Sequence, residues 1–253
     1  MKIKFYSTVL GLIISIFTIS NLYSHTGHYK NIGLIKMDIY RNGEIIGYSN
    51  YFFKSNEDIF EVINETKFEV KIAGVKLFSI ESMSKEKYQD DQLIEFTSET
   101  IQNDKRKFVN LIYDKSKEFF IIDGSSYKGN ADKENIIGNW WNHKILTSNS
   151  QISPLSGSIK KQEVNFISKE ILKINGKDIS VDHFKLKSTD DNLEADKRLD
   201  FNIWYDSKNN IIVKVEYNRL GKWEYILKKI EWYFDYFPAT VIFSIKTEGE
   251  FVE

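Results

Sequence analysis

Leu199-Asp200-Phe201-Asn202-Ile203-Trp204-Tyr205-Asp206 decides the fold class of this chain. Leu199, Phe201, Ile203 and Tyr205 alternate with Asp200, Asn202, Trp204 and Asp206, the period of two that a strand with one buried face requires. Ser207-Lys208-Asn209-Asn210 turns the chain into Ile211, Val213, Val215 and Tyr217, again two apart. Leu220-Gly221-Lys222 turns it once more into Trp223–Leu227. Three strands joined by short polar turns make an antiparallel meander with one face buried.

The same grammar runs outward through most of the chain. Ile35, Met37 and Ile39 share a face, and Asn42-Gly43 follows, a pair suited to the positive φ angles of a tight hairpin turn. Ile45–Phe53 returns as the partner strand. Phe60 and Val62, then Phe68, Val70 and Ile72, keep the spacing across a long strand that Gly74 interrupts as a turn or bulge. Leu93–Thr100, Lys107–Tyr113 and Glu118–Asp123 read as further strands, and Gln162–Ile174 pairs with Ile179–Leu186 across Asn175-Gly176. The polar segment from Thr189 to Lys197 reads as a surface loop. Asn135–Leu146, which contains Trp140 and Trp141, breaks the alternation and suits one short central helix or ordered insert. The fold class is therefore mainly β: a single curved antiparallel sheet, as a half-barrel or open barrel, because so many strands must curl or pack to cover an apolar face and their edges.

The chain has 253 residues, with 42% hydrophobic and 28% charged, as a folded globular protein requires. Lys and Arg number 35 against 36 Asp and Glu, so no excess of positive charge points to nucleic acid. There is no Cys, which excludes disulfides and thiolate chemistry. Lys2 and Lys4 precede an apolar run from Phe5 to Ile19, and Ser20, Asn21 and Ser24 follow. This is the order of a secretory signal peptide, and the run is shorter than the roughly 20 residues of a membrane-spanning helix. Residues 1–24 are expected to be a signal peptide cleaved after Ser24. Residues 25–253 are then one antiparallel β domain with an aromatic tail after Trp232, periplasmic or secreted, with no stable membrane span.

Three stretches carry a family resemblance. Phe201–Asp206 with its turn and Ile211–Tyr225 resembles the closing hairpins of the uncharacterised secreted bacterial family numbered six-one-three-four among domains of unknown function. Ile39-Tyr40-Arg41-Asn42-Gly43-Glu44-Ile45-Ile46-Gly47 resembles its opening hairpin. Trp141-Asn142 with Ile145-Leu146 resembles its central segment. The resemblance implies an envelope location and a curved antiparallel sheet. It brings no established activity and no catalytic residues.

The residues themselves argue against an enzyme. No Gly-x-Ser-x-Gly elbow and no phosphate-cradling loop occur, and Asp90-Asp91 and Asp190-Asp191 read as solvated loop carboxylates. No cofactor is called for. Trp140, Trp141, Trp204 and Trp223 are the candidate ligand-binding residues, set against the plainer reading that such aromatics are core. The leading expectation is a non-enzymatic protein that binds an apolar or amphipathic ligand, a lipid or an envelope polypeptide, in the concave face. An assembly factor docking on another envelope protein is the alternative. A third reading is copper binding: cleavage after Ser24 would free the amine of His25, with His28 close behind, and nitrogen ligands suit copper. A disordered polar start is the plainer account of that segment.

Overall fold

The computed structural model describes residues 25–56, 58–190, 192–194 and 197–233. These form β1 (Ile32–Arg41), β2 (Glu44–Asn56), β3 (Ile59–Ile72), β4 (Val75–Gln89), β5 (Gln92–Gln102), β6 (Lys105–Asp114), β7 (Phe119–Gly124) and β8 (Lys128–Asp132). The chain continues through β9 (Ile136–Ile137), β10 (Ser150–Ile152), β11 (Ile159–Ile174), β12 (Lys177–Ser188), β13 (Asp200–Asp206), β14 (Ile211–Asn218) and β15 (Lys222–Trp232). All belong to one sheet in the order β8-β7-β6-β5-β4-β3-β2-β1-β15-β14-β13-β12-β11-β10-β9. Neighbours are antiparallel except β9 and β10, which run parallel.

This order makes curvature obligatory. The first wing meanders from β1 at the centre out to β8, and the second begins at β9 on the opposite edge and works back to β15 beside β1. Strands about 4.8 Å apart would hold β8 and β9 some 65 Å from each other if the sheet were flat. Only Lys133, Glu134 and Asn135 join them, a link that reaches about 14 Å at most. The sheet must therefore curl until its edges come close. The turn closes with Asn135 N donating to Asp132 O at 3.0 Å. β8 and β9 share no ladder, so the curled sheet stays open.

The turns form where short residues tolerate positive φ. Asn42 and Gly43 (φ 50° and 86°) join β1 to β2, and Asn175 and Gly176 (51° and 78°) join β11 to β12. Gly74, at φ 80°, lies in the β3–β4 turn. Register shifts in several ladders, among them those between Lys87 and Tyr88 and between Trp204 and Tyr205, bend the strands. Gly47 marks a close approach of one strand to the next, because a Cβ there would lie 2.0 Å from the Lys67 carbonyl oxygen and 2.4 Å from the Phe68 Cβ. The β11–β12 turn reaches back across the sheet, and Asn175 Nδ2 donates to the carbonyls of Leu227 and Lys228 at 3.0 and 2.9 Å.

One expectation needs correction, and some strands escape the sequence pattern. The central segment has no α-helix: it is the short strand β9 followed by an ordered insert with one 3-10 turn, His143–Leu146. Gly138, Asn139 and Asn142 break the backbone there, and four residues are too few for a stable α-helix. Gly74 makes the turn between β3 and β4, as the sequence predicts, and β4 extends past Ile80 to Gln89, hidden from pattern reading by Ser82, Ser84 and Glu86 at inward positions. β8, on one edge, and β10, between β11 and the edge strand β9, are too short to show alternation. The aromatic tail begins by crossing the centre: Tyr233 N donates to Asn31 O, and its hydroxyl donates to Phe53 O, both at 2.7 Å. Residues 1–24, with the expected signal peptide, and the tail after Tyr233 lie outside the described residues.

Gly47→Ala is expected to cost about 2 kcal/mol, lowering Tm by roughly 4–8 °C in a thermal melt. An unchanged Tm would contradict the close strand approach at that bend.

Candidate binding site inside the curled sheet

The insert between β9 and β10 enters the concave side and is anchored there by one carboxyl group. Glu86, on the inner face of β4, is 1% exposed. Trp141 Nε1 donates to its Oε1 at 2.9 Å, and Asn139 Nδ2 donates to the same oxygen at 2.5 Å. The Tyr88 hydroxyl donates to Oε2 at 2.5 Å. Burial pushes the Glu86 pKa up, against the pull of these three hydrogen bonds. The Trp141 ring meets Tyr29, Phe53 and Tyr88 edge-on and stacks on His25. Asn142 caps the following 3-10 turn, its Oδ1 accepting from Lys144 N at 2.9 Å.

Above the insert the inner face changes character. Ser49, Thr66, Ser82 and Thr100 stand opposite one another across β2, β3, β4 and β5, forming a single cross-strand row of hydroxyls. Ser49 and Thr66 lie 2.7 Å apart, as do Ser82 and Thr100. Asn64 Nδ2 donates to Ser49 Oγ at 3.0 Å, and Ser98 Oγ donates to the Pro154 carbonyl at 2.5 Å. The other wing contributes rings in sequence, ending on Phe68 of β3: Trp140 against Phe201 (centroids 5.0 Å apart), Phe201 against Tyr217 (5.2 Å), Tyr217 stacked on Trp223 (5.7 Å) and Trp223 against Phe68 (5.4 Å). Trp140, Phe201 and Tyr217 are only partly buried. The two surfaces meet where Trp140 N approaches the Tyr51 hydroxyl at 3.4 Å, beside Ser49.

The lower end of the trough is closed by the segment before β1. Asp91, in the β4–β5 turn, accepts from His25 N at 2.5 Å through Oδ2, and from Thr26 N (2.8 Å) and Thr26 Oγ1 (2.7 Å) through Oδ1. This corrects the reading of Asp91 as a solvated loop carboxylate. The Tyr29 hydroxyl lies 2.7 Å from Trp141 O, 3.0 Å from Asn210 O and 2.8 Å from His143 Nδ1. A hydroxyl has one proton, so it donates to a carbonyl and accepts from a protonated Nδ1 of His143. Burial, with help from His143 and Lys144, holds His25 down to about 2, and burial with His28 and Lys144 holds His143 down to about 4. Both imidazoles are neutral at physiological pH. Neither ring nitrogen of His25 has a hydrogen-bond partner among the described residues. A polar cleft of about 370 Å³ opens beside this end, between Asp91, Gln92, Asn135, Asn142 and Lys144.

The structure gathers some of the sequence candidates and separates others. Trp140 and Trp223 lie on the aromatic band, whereas Trp141 is fully buried core. Trp204 belongs to a different cluster: it stacks on His183 at 4.5 Å, donates to Glu170 Oε2 at 2.9 Å, and carries Lys214 Nζ above its ring. His25 and His28 flank His143, with ring centroids 4.6 and 5.7 Å from it. No group of three His, Cys, Asp or Glu that could hold a metal occurs among the described residues. The α-nitrogen of His25, which a copper chelate would use, faces Asp91. Glu86 and the hydroxyl row escaped pattern reading, although Ser82, Ser84 and Glu86 between Ile80 and Tyr88, all at even spacing, carried the signal of a polar inner stripe.

Because His25 titrates at about 6.5 when unfolded and only near 2 when folded, the unfolded chain takes up the proton first. Stability from this residue is present above about pH 6.5 and falls by about 1.4 kcal/mol per pH unit below it. Chemical denaturation between pH 7 and pH 5 is expected to give a steeper loss for the wild type than for His25→Leu. Parallel pH profiles would contradict the buried neutral imidazole.

Residues 37–228 match a family model described as a domain of unknown function, DUF6134. No curated protein matches the chain. Among solved structures the chain is similar to a β-barrel-like protein of the domain of unknown function DUF1849 from Brucella abortus, at 10% identity and a TM-score of 0.58, over 81% of this chain and 98% of that one. An exported protein with a YmcC-like fold from Bacteroides fragilis is similar at 12% identity and a TM-score of 0.34, over 80% of this chain and 97% of that one. The likeness to the Brucella protein is one of fold: a curved, barrel-like sheet. With its opening hairpin, central Trp-Asn segment and closing meander all inside the matched range, the chain belongs to the DUF6134 family.

Proposed function

We propose that this is a non-enzymatic extracytoplasmic protein that holds one amphipathic, lipid-like molecule in the trough above its insert. The observation that carries this reading is the hydroxyl row Ser49–Thr66–Ser82–Thr100, which joins the aromatic band at Tyr51 and Trp140. A purely structural interior would favour Val or Ile at those positions, since apolar packing avoids desolvating hydroxyls. The Ser82–Thr100 pair uses only one of its two hydroxyl protons and keeps acceptor capacity on both oxygens, so a polar head could join the row without breaking it. Aromatic faces on the opposite wing suit an acyl chain or ring. The apolar run behind Lys2 and Lys4 supports export.

The reading refines the role of the adjacent tryptophans. Trp141 is a structural residue that fixes the insert through Glu86, and Trp140 is the residue that faces the ligand. Titration with a fluorescent fatty acid is expected to show saturable binding. Trp140→Ala and the double variant Ser82→Ala/Thr100→Val are each expected to weaken it about tenfold, the effect of losing roughly 1.4 kcal/mol. The double variant should be no less stable than the wild type, because both partners of a buried pair are replaced together. Absence of binding by the wild type, or equal binding by all three proteins, would overturn the reading.

A further inference from the structure

The hairpin of β3 and β4 runs on past both of its neighbours. The β2–β3 ladder ends at Gly47 opposite Phe68, and the β4–β5 ladder begins only at Ile80 opposite Gln102. Residues 69–79 are therefore a two-stranded ribbon that shares a ladder with no other strand among the described residues. At its root the aromatic band continues, because Phe68, already against Trp223, meets Phe78 at 5.8 Å. Val70 stands opposite Phe78 and Ile72 opposite Val75, and Phe68, Val70 and Ile72 alternate onto one face, which stays apolar to the tip. There the apolar side chains meet water: Ile72, Val75 and Leu77 are 52%, 62% and 53% exposed. Ile45 and Leu220, in the turns after β1 and β14 at the same end of the sheet, are exposed as well.

Charge completes the pattern. Lys71 and Lys76 stand directly opposite each other one rung behind the tip, a like-charge pair that is unfavourable in a ribbon surrounded by water. Their contacts with Glu69 (2.5 Å) and Asp104 (3.4 Å) are exposed and contribute little. Across this tip and the adjoining β5–β6 hairpin, Lys71, Lys76, Lys105, Arg106 and Lys107 outnumber Glu69, Glu99 and Asp104, in a chain whose net charge is -1. A few apolar side chains on a narrow tip are small against the roughly 800 Å² per partner of a protein interface. An apolar apex with cations just behind it matches the layers of an anionic bilayer. We infer that residues 69–79 are a docking element for an anionic phospholipid bilayer, with Ile72 and Val75 entering the acyl layer and the lysines held among the headgroups. A ribbon seated in this way brings Phe78 and Phe68 to the bilayer, and an amphipathic molecule enters the trough along the aromatic band. The docking stands on the ribbon itself, and the entry route rests on the ligand proposed above.

The test is flotation of the secreted protein with vesicles of phosphatidylcholine, alone or mixed equally with phosphatidylglycerol. The wild type is expected to float with the anionic vesicles, less so as salt is raised, and about tenfold more weakly with the neutral ones. Ile72→Ser/Val75→Ser and Lys71→Glu/Lys76→Glu are each expected to lose about tenfold in binding to the anionic vesicles. These side chains are exposed, so both variants should keep the wild-type Tm and still bind the fluorescent fatty acid from solution, while its transfer out of vesicles slows. No vesicle binding by the wild type, equal binding to the two kinds of vesicle, equal binding by all three proteins, or a soluble dimer that either variant dissolves would overturn the inference. Tip-dependent vesicle binding without any fatty-acid binding would uphold the docking and overturn the ligand reading instead.

Discussion

The Glu86 carboxyl is the point on which the interior depends. A sheet curled by a three-residue link between its edges encloses an interior, and the insert after β9 packs into it with Trp141 in the core cluster. That insert carries little regular structure, so its place is fixed by Trp141, Asn139 and the carboxyl they share with Tyr88. Three donors on one buried group make an all-or-none arrangement, because each donor left unpaired costs about 1–3 kcal/mol. Five aromatic or imidazole rings then pack around Trp141, those of Tyr29, Phe53, Phe60, Tyr88 and His25, tying the first wing and the N-terminal turn to the same place.

Anchoring the insert low in the trough leaves the middle of the inner surface to two unlike walls. One is a ladder of small hydroxyls on β2 to β5, and the other a train of aromatic rings from Trp140 to Phe68. Below the insert the chemistry differs again, with neutral imidazoles, the Tyr29 hydroxyl and the Asp91 carboxylate gathered around the start of the described chain. The lower end and the middle of the trough thus differ in chemistry. The lower end secures the N-terminal segment, and the middle presents polar and apolar surface side by side.

Much of the fold was legible because strands with one buried face announce themselves. Leu199 to Leu227, Ile35 to Phe53 and the Asn-Gly turns gave elements and pairing, and the hairpin order gave the family. The strands that did not announce themselves were those whose inward residues are polar or whose length is short. β4 carries Ser82, Ser84 and Glu86 inward, and β8 and β10 have too few residues for alternation. The same property hid the site. A buried Ser or Glu resembles a solvated one in sequence, and the difference lies in cross-strand register, as with Ser82 opposite Thr100. Tryptophans were visible but not their roles: adjacent Trp140 and Trp141 point to different surroundings, and Trp204 sits among Glu170, His183 and Lys214.

We propose that the trough holds an amphipathic molecule, and native mass spectrometry of the secreted protein, purified without detergent, is the decisive experiment. A discrete extra mass is expected, one lipid-like molecule per chain, released intact on denaturation. An apo mass alone, unchanged after incubation with an extract of envelope lipids, would contradict it.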